Sequence, residues 1–298
     1  MKKIIWLTAF VLLATKTSAE PITDDAEIAA ACYLPTQSNV SYKDVTDLPT
    51  DSPAEVISYG PDPLQYGELW LPKVAKFENE DFHSKTKSAQ TPLLVFIHGG
   101  CWLSEYDIKH THALSSALAH AGYAVWSVEY RRTGDEGGGW PGSFDDVMSA
   151  IEFSTSMARF GVDTSNIVLL GHSAGGHLAL LAGANSKQIK TVIGLAAITD
   201  IEQYAAGDNS CQTATPRFMG GSAQQLPENY TSANPTRQAR HANTVLIHGK
   251  ADQIVPVKQA TSFSNEVRII DGAGHFDLIH PGTPAFKALL KELANHIR

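Results

Sequence analysis

Gly171-His172-Ser173-Ala174-Gly175 follows the apolar run Asn166-Ile167-Val168-Leu169-Leu170 and precedes Gly176-His177-Leu178-Ala179-Leu180-Leu181-Ala182. The run before it is partly β-branched and reads as a buried strand. The run after it is rich in helix formers. A G-x-S-x-G pentapeptide between a strand and a helix is a tight turn that forces its serine into strained backbone angles and lifts the hydroxyl clear of the sheet. The helix N-terminus beside it favours developing negative charge. The three fixed positions alone match by chance about once in ten chains of this length, since glycine and serine each make up roughly 7% of residues. The fold therefore depends on what surrounds the pentapeptide.

The 298 residues are 43% hydrophobic and 18% charged, enough for one sizeable core. A formal net charge of −8 argues against nucleic acid and anionic membrane surfaces as partners. Lys2 and Lys3, the apolar residues 4–14 and the small residues Thr17-Ser18-Ala19 read as a secretory signal peptide cleaved after Ala19, too short in its apolar part to span a bilayer. The expected location is periplasmic or secreted, with no stable membrane insertion once the leader is removed. Three cysteines are present, Cys32, Cys101 and Cys211. Cys101 is expected to be buried, and Cys32 with Cys211 is the pair open to oxidation in such a compartment. No C-x-x-C or H-E-x-x-H spacing occurs, so no metal site is expected and no cofactor is implied.

Beyond the leader, residues 20–54 have no clear period and read as an N-terminal arm with a short helix near 26–31. Residues 55–298 read as one domain. Strands are expected at 56–59, 66–71, 93–97, 123–130, 166–170, 189–197, 245–248 and 267–270. Helices are expected at 111–121, 144–160, after the pentapeptide, at 257–264 and at 286–297. Residues 73–91 read as a surface loop. Strands alternating with helices make an α/β fold with a mostly parallel sheet covered on both faces, and reactive groups gather at the carboxyl ends of such strands. Residues 200–242, rich in Gln, Asn, Pro and Thr, form an insertion long enough to cap a site.

A nucleophilic serine needs a base, an acid that orients it and an oxyanion hole. His275 follows a strand in Asp271-Gly272-Ala273-Gly274-His275, with His280 as the nearest rival. Asp252 follows the preceding strand and a glycine turn, with Asp200 as rival acid. The chain order Ser173, Asp252, His275 is that of a hydrolase triad. His98-Gly99-Gly100-Cys101-Trp102, after an earlier strand, supplies Gly100 or Cys101 as one oxyanion donor, and Ala174 supplies the other. His98 reads as a structural tie for that loop, and Glu129 with Arg131 or Arg132 as a structural ion pair. Trp102, Trp140 and His172 are candidates to line the substrate pocket. All of these parts stand at strand ends and in one order, which removes coincidence as an explanation.

The chain resembles the α/β-hydrolase superfamily over about residues 55–298. His98 to Trp102 together with the serine pentapeptide is similar to the HGGxW branch, which holds kynurenine formamidases and hormone-sensitive-lipase-like and feruloyl-esterase-like carboxylesterases. Val128 to Arg132, Gly138 to Gly142 and Gly274 to Ile279 share that resemblance. It implies Ser173, Asp252 and His275 as the triad. Cys101 departs from the third glycine of the HGGG lipases, and the export signal departs from the intracellular formamidases. The expected function is a serine hydrolase of small carboxylic esters acting through an acyl-enzyme on Ser173. An arylformamidase, amidase or short-peptide hydrolase is the rival, and a non-catalytic binding protein on the same fold is the rival from another class.

Overall fold

The computed structural model describes residues 33–72, 91–264 and 266–297. The expected leader, the helix near 26–31, Cys32 and nearly all of the 73–91 loop lie outside these residues. Among the described residues eight strands form one sheet in the order β1-β2-β4-β3-β5-β6-β7-β8. β1 (Glu55–Ser58) pairs antiparallel with β2 (Tyr66–Trp70), and β2 antiparallel with β4 (Ala124–Val128). From β4 onward every pairing is parallel, through β3 (Thr91–Ile97), β5 (Val162–His172), β6 (Ile189–Leu195), β7 (Thr244–Gly249) and β8 (Val267–Ile270). The parallel strands therefore end at one edge of the sheet, and the candidate loops follow β3, β5, β7 and β8 there.

The strands are near-continuous apolar runs because both sheet faces are covered. In β3, Leu93, Val95 and Ile97 enter one core while Leu94 and Phe96 enter the other, as the period of two requires. The first core also takes Val147 and Ile151 of α3 (Gly142–Phe153), Leu178 of α4 (Ala174–Asn185) and Ala260 and Phe263 of α8 (Lys258–Phe263). The second takes Leu114 and Leu118 of α2 (His112–His120) and Phe286, Leu289 and Leu293 of α9 (Pro284–His296). α4 is buried on all sides from Ala174 to Gly183, which is why it reads apolar all round.

Two expectations are refined. The helix expected over 144–160 is α-helical only to Phe153 and continues as a 3₁₀ segment, Ser154–Phe160, closed by Gly161 at φ 77°. The described part of the N-terminal arm, residues 33–54, packs onto the domain. Tyr33 and Val45 belong to the second core. The short helix α1 (Tyr42–Thr46) is held by a capping box between Ser41 and Asp44. The 200–242 insertion folds as α5 (Ile201–Tyr204), α6 (Ser210–Met219) and α7 (Pro227–Ser232) with a 3₁₀ turn, Pro235–Arg237. Its Ile201, Tyr204, Phe218, Met219 and Tyr230 are buried in the first core.

Candidate active site

Ser173 stands at the junction of β5 and α4 with φ 57° and ψ −120°, a backbone state that a non-glycine residue holds only when its surroundings dictate it. They do so here. A Cβ at Gly171 would strike the carbonyl of Gly175, and one at Gly175 would strike the carbonyls of Ile97 and His98. The two glycines let α4 start directly against the sheet. The Ser173 N–H donates to Leu195 O (2.8 Å) and its carbonyl accepts from His177 N (3.0 Å), which pins the turn from both sides.

His275 follows β8 and donates from Nδ1 to Asp252 Oδ2 at 2.7 Å. That bond fixes the tautomer and leaves Nε2 for the cavity. Asp252 follows β7 and its other oxygen accepts from the N–H groups of Ile254 (2.8 Å) and Val255 (2.9 Å). Burial pushes the Asp252 carboxyl up, but the charge and hydrogen bond of His275 and the adjacent His248 outweigh it and hold it below the usual carboxylate value. The rivals are engaged elsewhere. Asp200 caps α5 through Gln203 N (3.0 Å) and receives Asn234 Nδ2 (2.9 Å). His280 Nδ1 accepts from Gly282 N (3.0 Å).

After β3 the chain enters three successive residues of positive φ: Gly100 at 105°, Cys101 at 54° and Trp102 at 59°. Among the described residues the N–H groups of Gly100, Cys101 and Ala174 make no hydrogen bond. Trp102 O accepts from Thr133 N (2.8 Å), anchoring the far end of the loop. His98 anchors its start. Its Nδ1 lies 2.8 Å from Gly99 O and its Nε2 2.9 Å from Glu129 Oε1, while Tyr130 stacks on the ring at 4.6 Å. Both ring nitrogens thus meet oxygen acceptors and neither is free to act as a base. Glu129 Oε2 also takes Ile108 N (2.9 Å) and Arg132 Nη1 (3.3 Å). Burial pushes the Glu129 carboxyl up, and His98 and Arg132 more than reverse it. Of the two arginines, Arg132 pairs with Glu129, whereas Arg131 makes a bidentate pair with Asp146 (2.8 and 2.6 Å).

Ser173, His275, Gly100 and Cys101 open onto one cavity of about 190 Å³, with His172 beside them. Ala174 is fully buried beneath. His172 donates from Nε2 to His275 O (3.2 Å), bracing the His275 loop from behind. Burial first, and then the neighbouring His275, push the His172 imidazole well below its ordinary value, so it stays neutral.

Trp102 and Trp140 do not line this cavity, which corrects the expectation for both. Positive φ at Trp102 turns the ring into the core, where it is fully buried and stacks on Phe218 at 4.7 Å. The Trp140 ring packs on Phe144 at 5.4 Å, and the Trp140 backbone N–H donates to Phe218 O (2.8 Å). The opposite wall is instead made by Tyr42, Tyr106, His110 and Phe276. Tyr42 sits edge-on to Tyr106 (5.8 Å) and Phe276 (5.5 Å). His110 donates from Nδ1 to Asp107 O (2.6 Å), and burial pushes its imidazole down to about 3. Asp277, which sequence reasoning did not single out, brings this wall together. Its carboxylate accepts from Asn39 N (2.7 and 2.9 Å), Val40 N (3.0 Å) and Gly274 N (3.1 Å), so one buried group ties the arm to the His275 loop. The sequence signals were its place two residues after His275 and inside the Gly274–Ile279 stretch that shares the family resemblance.

The cysteines also pair differently from expectation. Cys211 is bonded to Cys101, with Cα atoms 5.0 Å apart across 110 residues, and not to Cys32. Folding the insertion over the loop after β3 brings the two together, a proximity that spacing along the chain does not reveal. No cluster of metal-ligating side chains exists among the described residues.

The profile of the BD-FAE family matches residues 81–267. Esterase LipC of Mycobacterium tuberculosis is 31% identical over 75% of this chain and 60% of its own length. This chain therefore spans somewhat less than two thirds of that relative. The kynurenine formamidase of Drosophila melanogaster is 24% identical over 73% of this chain and 75% of its own length. Among solved structures, esterase B from Lactobacillus rhamnosis superposes with a TM-score of 0.66 over 86% of this chain and 89% of its own, at 19% identity. With the sheet order above, that superposition identifies the fold as the α/β-hydrolase fold.

Proposed function

The chain belongs to the BD-FAE family, and from that premise we propose that it is a serine hydrolase of small carboxylic esters that works through an acyl-enzyme on Ser173. The observation that carries this reading is the convergence of Ser173, the Asp252–His275 hydrogen bond and the Gly100-Cys101 backbone on one cavity. Ser173 Oγ attacks the ester carbonyl while His275 Nε2 takes its proton. Asp252 keeps the imidazole in that tautomer and stabilises the imidazolium. The N–H groups of Gly100 or Cys101 and of Ala174 receive the oxyanion. Each such donor is worth roughly 3 kcal/mol in the transition state. The C–O bond to the leaving group breaks as His275 returns the proton to it. Water then resolves the acyl-enzyme by the same route.

The cavity volume of about 190 Å³ supports short acyl groups, and the ring-lined wall supports a flat group against it. A second reading, an arylformamidase, draws on that wall and on the formamidase relative. The intrachain disulfide supports export to an oxidising compartment. Two assays decide: Ser173→Ala abolishes hydrolysis of p-nitrophenyl acetate, and wild-type kcat/KM for graded p-nitrophenyl esters falls as the acyl chain lengthens. Wild-type activity in Ser173→Ala contradicts the mechanism. A higher kcat/KM for N-formyl aromatic amines than for any ester favours the second reading.

A further inference from the structure

The start of the insertion helix α6 is fastened to two catalytic loops at one joint. Cys211, the second residue of α6, is disulfide-bonded to Cys101 in the loop after β3. Asn209, just before α6, donates from Nδ2 to Ile254 O at 2.9 Å. Ile254 N in turn donates to Asp252 Oδ1 at 2.8 Å. Residues 209–211 therefore bridge the loop that carries the candidate oxyanion donors and the loop that carries the acid.

Cys101 is the residue that most needs such a tether. Its φ of 54° lies between Gly100 at 105° and Trp102 at 59°. Glycine holds such angles without strain, whereas a residue with a Cβ holds them only when its neighbours over-determine it. Trp102 is held by the stack on Phe218 and by Thr133 N. At Cys101 the backbone N–H is unbonded among the described residues; Leu103 N donates to Gly100 O (2.9 Å) and closes the turn around it, and the covalent link to α6 is the restraint on its own side chain. Both cysteines line the cavity beside Ser173, so a small thiol reaches the bond through the site itself.

We propose that the Cys101–Cys211 disulfide is a positioning element that holds the Gly100-Cys101 backbone in its oxyanion-binding geometry, and that its reduction switches turnover down. This rests on Ser173 being the nucleophile. The step is thiol–disulfide exchange with a dithiol. One thiolate attacks a cysteine sulfur, the Sγ–Sγ bond breaks and a mixed disulfide forms. The second thiolate then displaces the protein sulfur. The protein gains two electrons and two protons as two thiols, and the reductant leaves as its cyclic disulfide. In a reducing compartment the hydrolase stays nearly idle, and it reaches full turnover once the bond forms.

The test uses the purified full chain, oxidised, then reduced with dithiothreitol and desalted under nitrogen, because free thiol itself cleaves p-nitrophenyl acetate. Thiol titration should rise by two per chain. With it, kcat should fall about tenfold or more with KM within about threefold, as loss of an oxyanion donor does, and reoxidation should restore kcat. Cys101→Ala with Cys211→Ala should sit at the reduced level with or without dithiothreitol. Cys101→Gly with Cys211→Ala should recover part of kcat, since glycine takes the positive φ without a tether. A purely structural bond predicts a lower melting temperature for both double variants and no difference in kcat between them, and that result overturns the proposal. Two new thiols with kcat unchanged overturn it as well. If the oxidised protein neither turns over esters nor labels with a fluorophosphonate at Ser173, the functional reading fails before any reductant is added, and this proposal with it.

Discussion

Asp252 and Asp200 both follow strands of the same sheet, and geometry separates them. Asp252 meets His275 at 2.7 Å and two backbone N–H groups, whereas Asp200 is spent on capping α5. Asp252→Asn should therefore lower kcat by roughly 10³- to 10⁴-fold with the fold intact, because the amide favours the wrong imidazole tautomer. Asp200→Asn should leave kcat within about twofold and change the melting temperature only slightly, since asparagine also caps helices well. Steady-state kinetics on the two variants check this, and equal losses would reject the assignment. Trp102 makes a similar contrast. With its ring fully buried against Phe218, Trp102→Ala should cost about 3–5 kcal/mol in denaturant unfolding, the loss expected of a core aromatic. Ser173, Asp252 and His275 were legible in the sequence because each follows an apolar strand and a glycine-bearing turn. The direction of the Trp102 ring was not, because it depends on a positive φ that a tryptophan shows no sign of in sequence.

The arm and the loop after β8 meet through Asp277, whose carboxylate gathers the N–H groups of Asn39, Val40 and Gly274. Removing it leaves the buried Gly274 N–H unsatisfied, at about 1–3 kcal/mol before relaxation, and releases the Asn39 and Val40 N–H groups that hold the arm. Asp277→Ala should lower the melting temperature, speed amide exchange at Asn39 and Val40, and raise KM as Tyr42 leaves the cavity wall. An unchanged KM with fast exchange at those amides would show that the arm does not shape the site. The order of strands and helices was readable from period and composition, since strands buried on both faces are continuous apolar runs. The arm's place was not. Its residues have no period, and contact between position 39 and position 277 leaves no local signature. The pairing of Cys101 with Cys211 escaped for the same reason: the insertion reads as a polar loop, while one side of α6 is buried.

Several imidazoles are buried neutral in the folded protein: His110, His172, His177 and His248 all lie below the ordinary value, chiefly through burial. In the unfolded chain each takes a proton near pH 6.5. Between that value and the lower folded ones the unfolded state binds more protons, so stability falls as pH falls. Asp252 has the opposite charge and a depressed folded value, so its contribution persists until pH drops below the ordinary carboxylate range. The melting temperature should therefore decline between pH 7 and pH 5 through the histidines. His177, held at about 4 and donating to Ala233 O, should account for about 2 kcal/mol of that loss, which His177→Gln removes. Calorimetry of the two proteins across that range checks it, and parallel curves would contradict it. His110 and His172 share with His275 the cavity around one serine at the carboxyl edge of the sheet, and that serine is the proposed nucleophile. Intact-mass and peptide mass spectrometry after acid quench of a p-nitrophenyl acetate reaction tests it most directly. One acetyl group on the peptide carrying Ser173, absent in Ser173→Ala, is the predicted result. Turnover with no acyl adduct, or with the adduct on another residue, would contradict it.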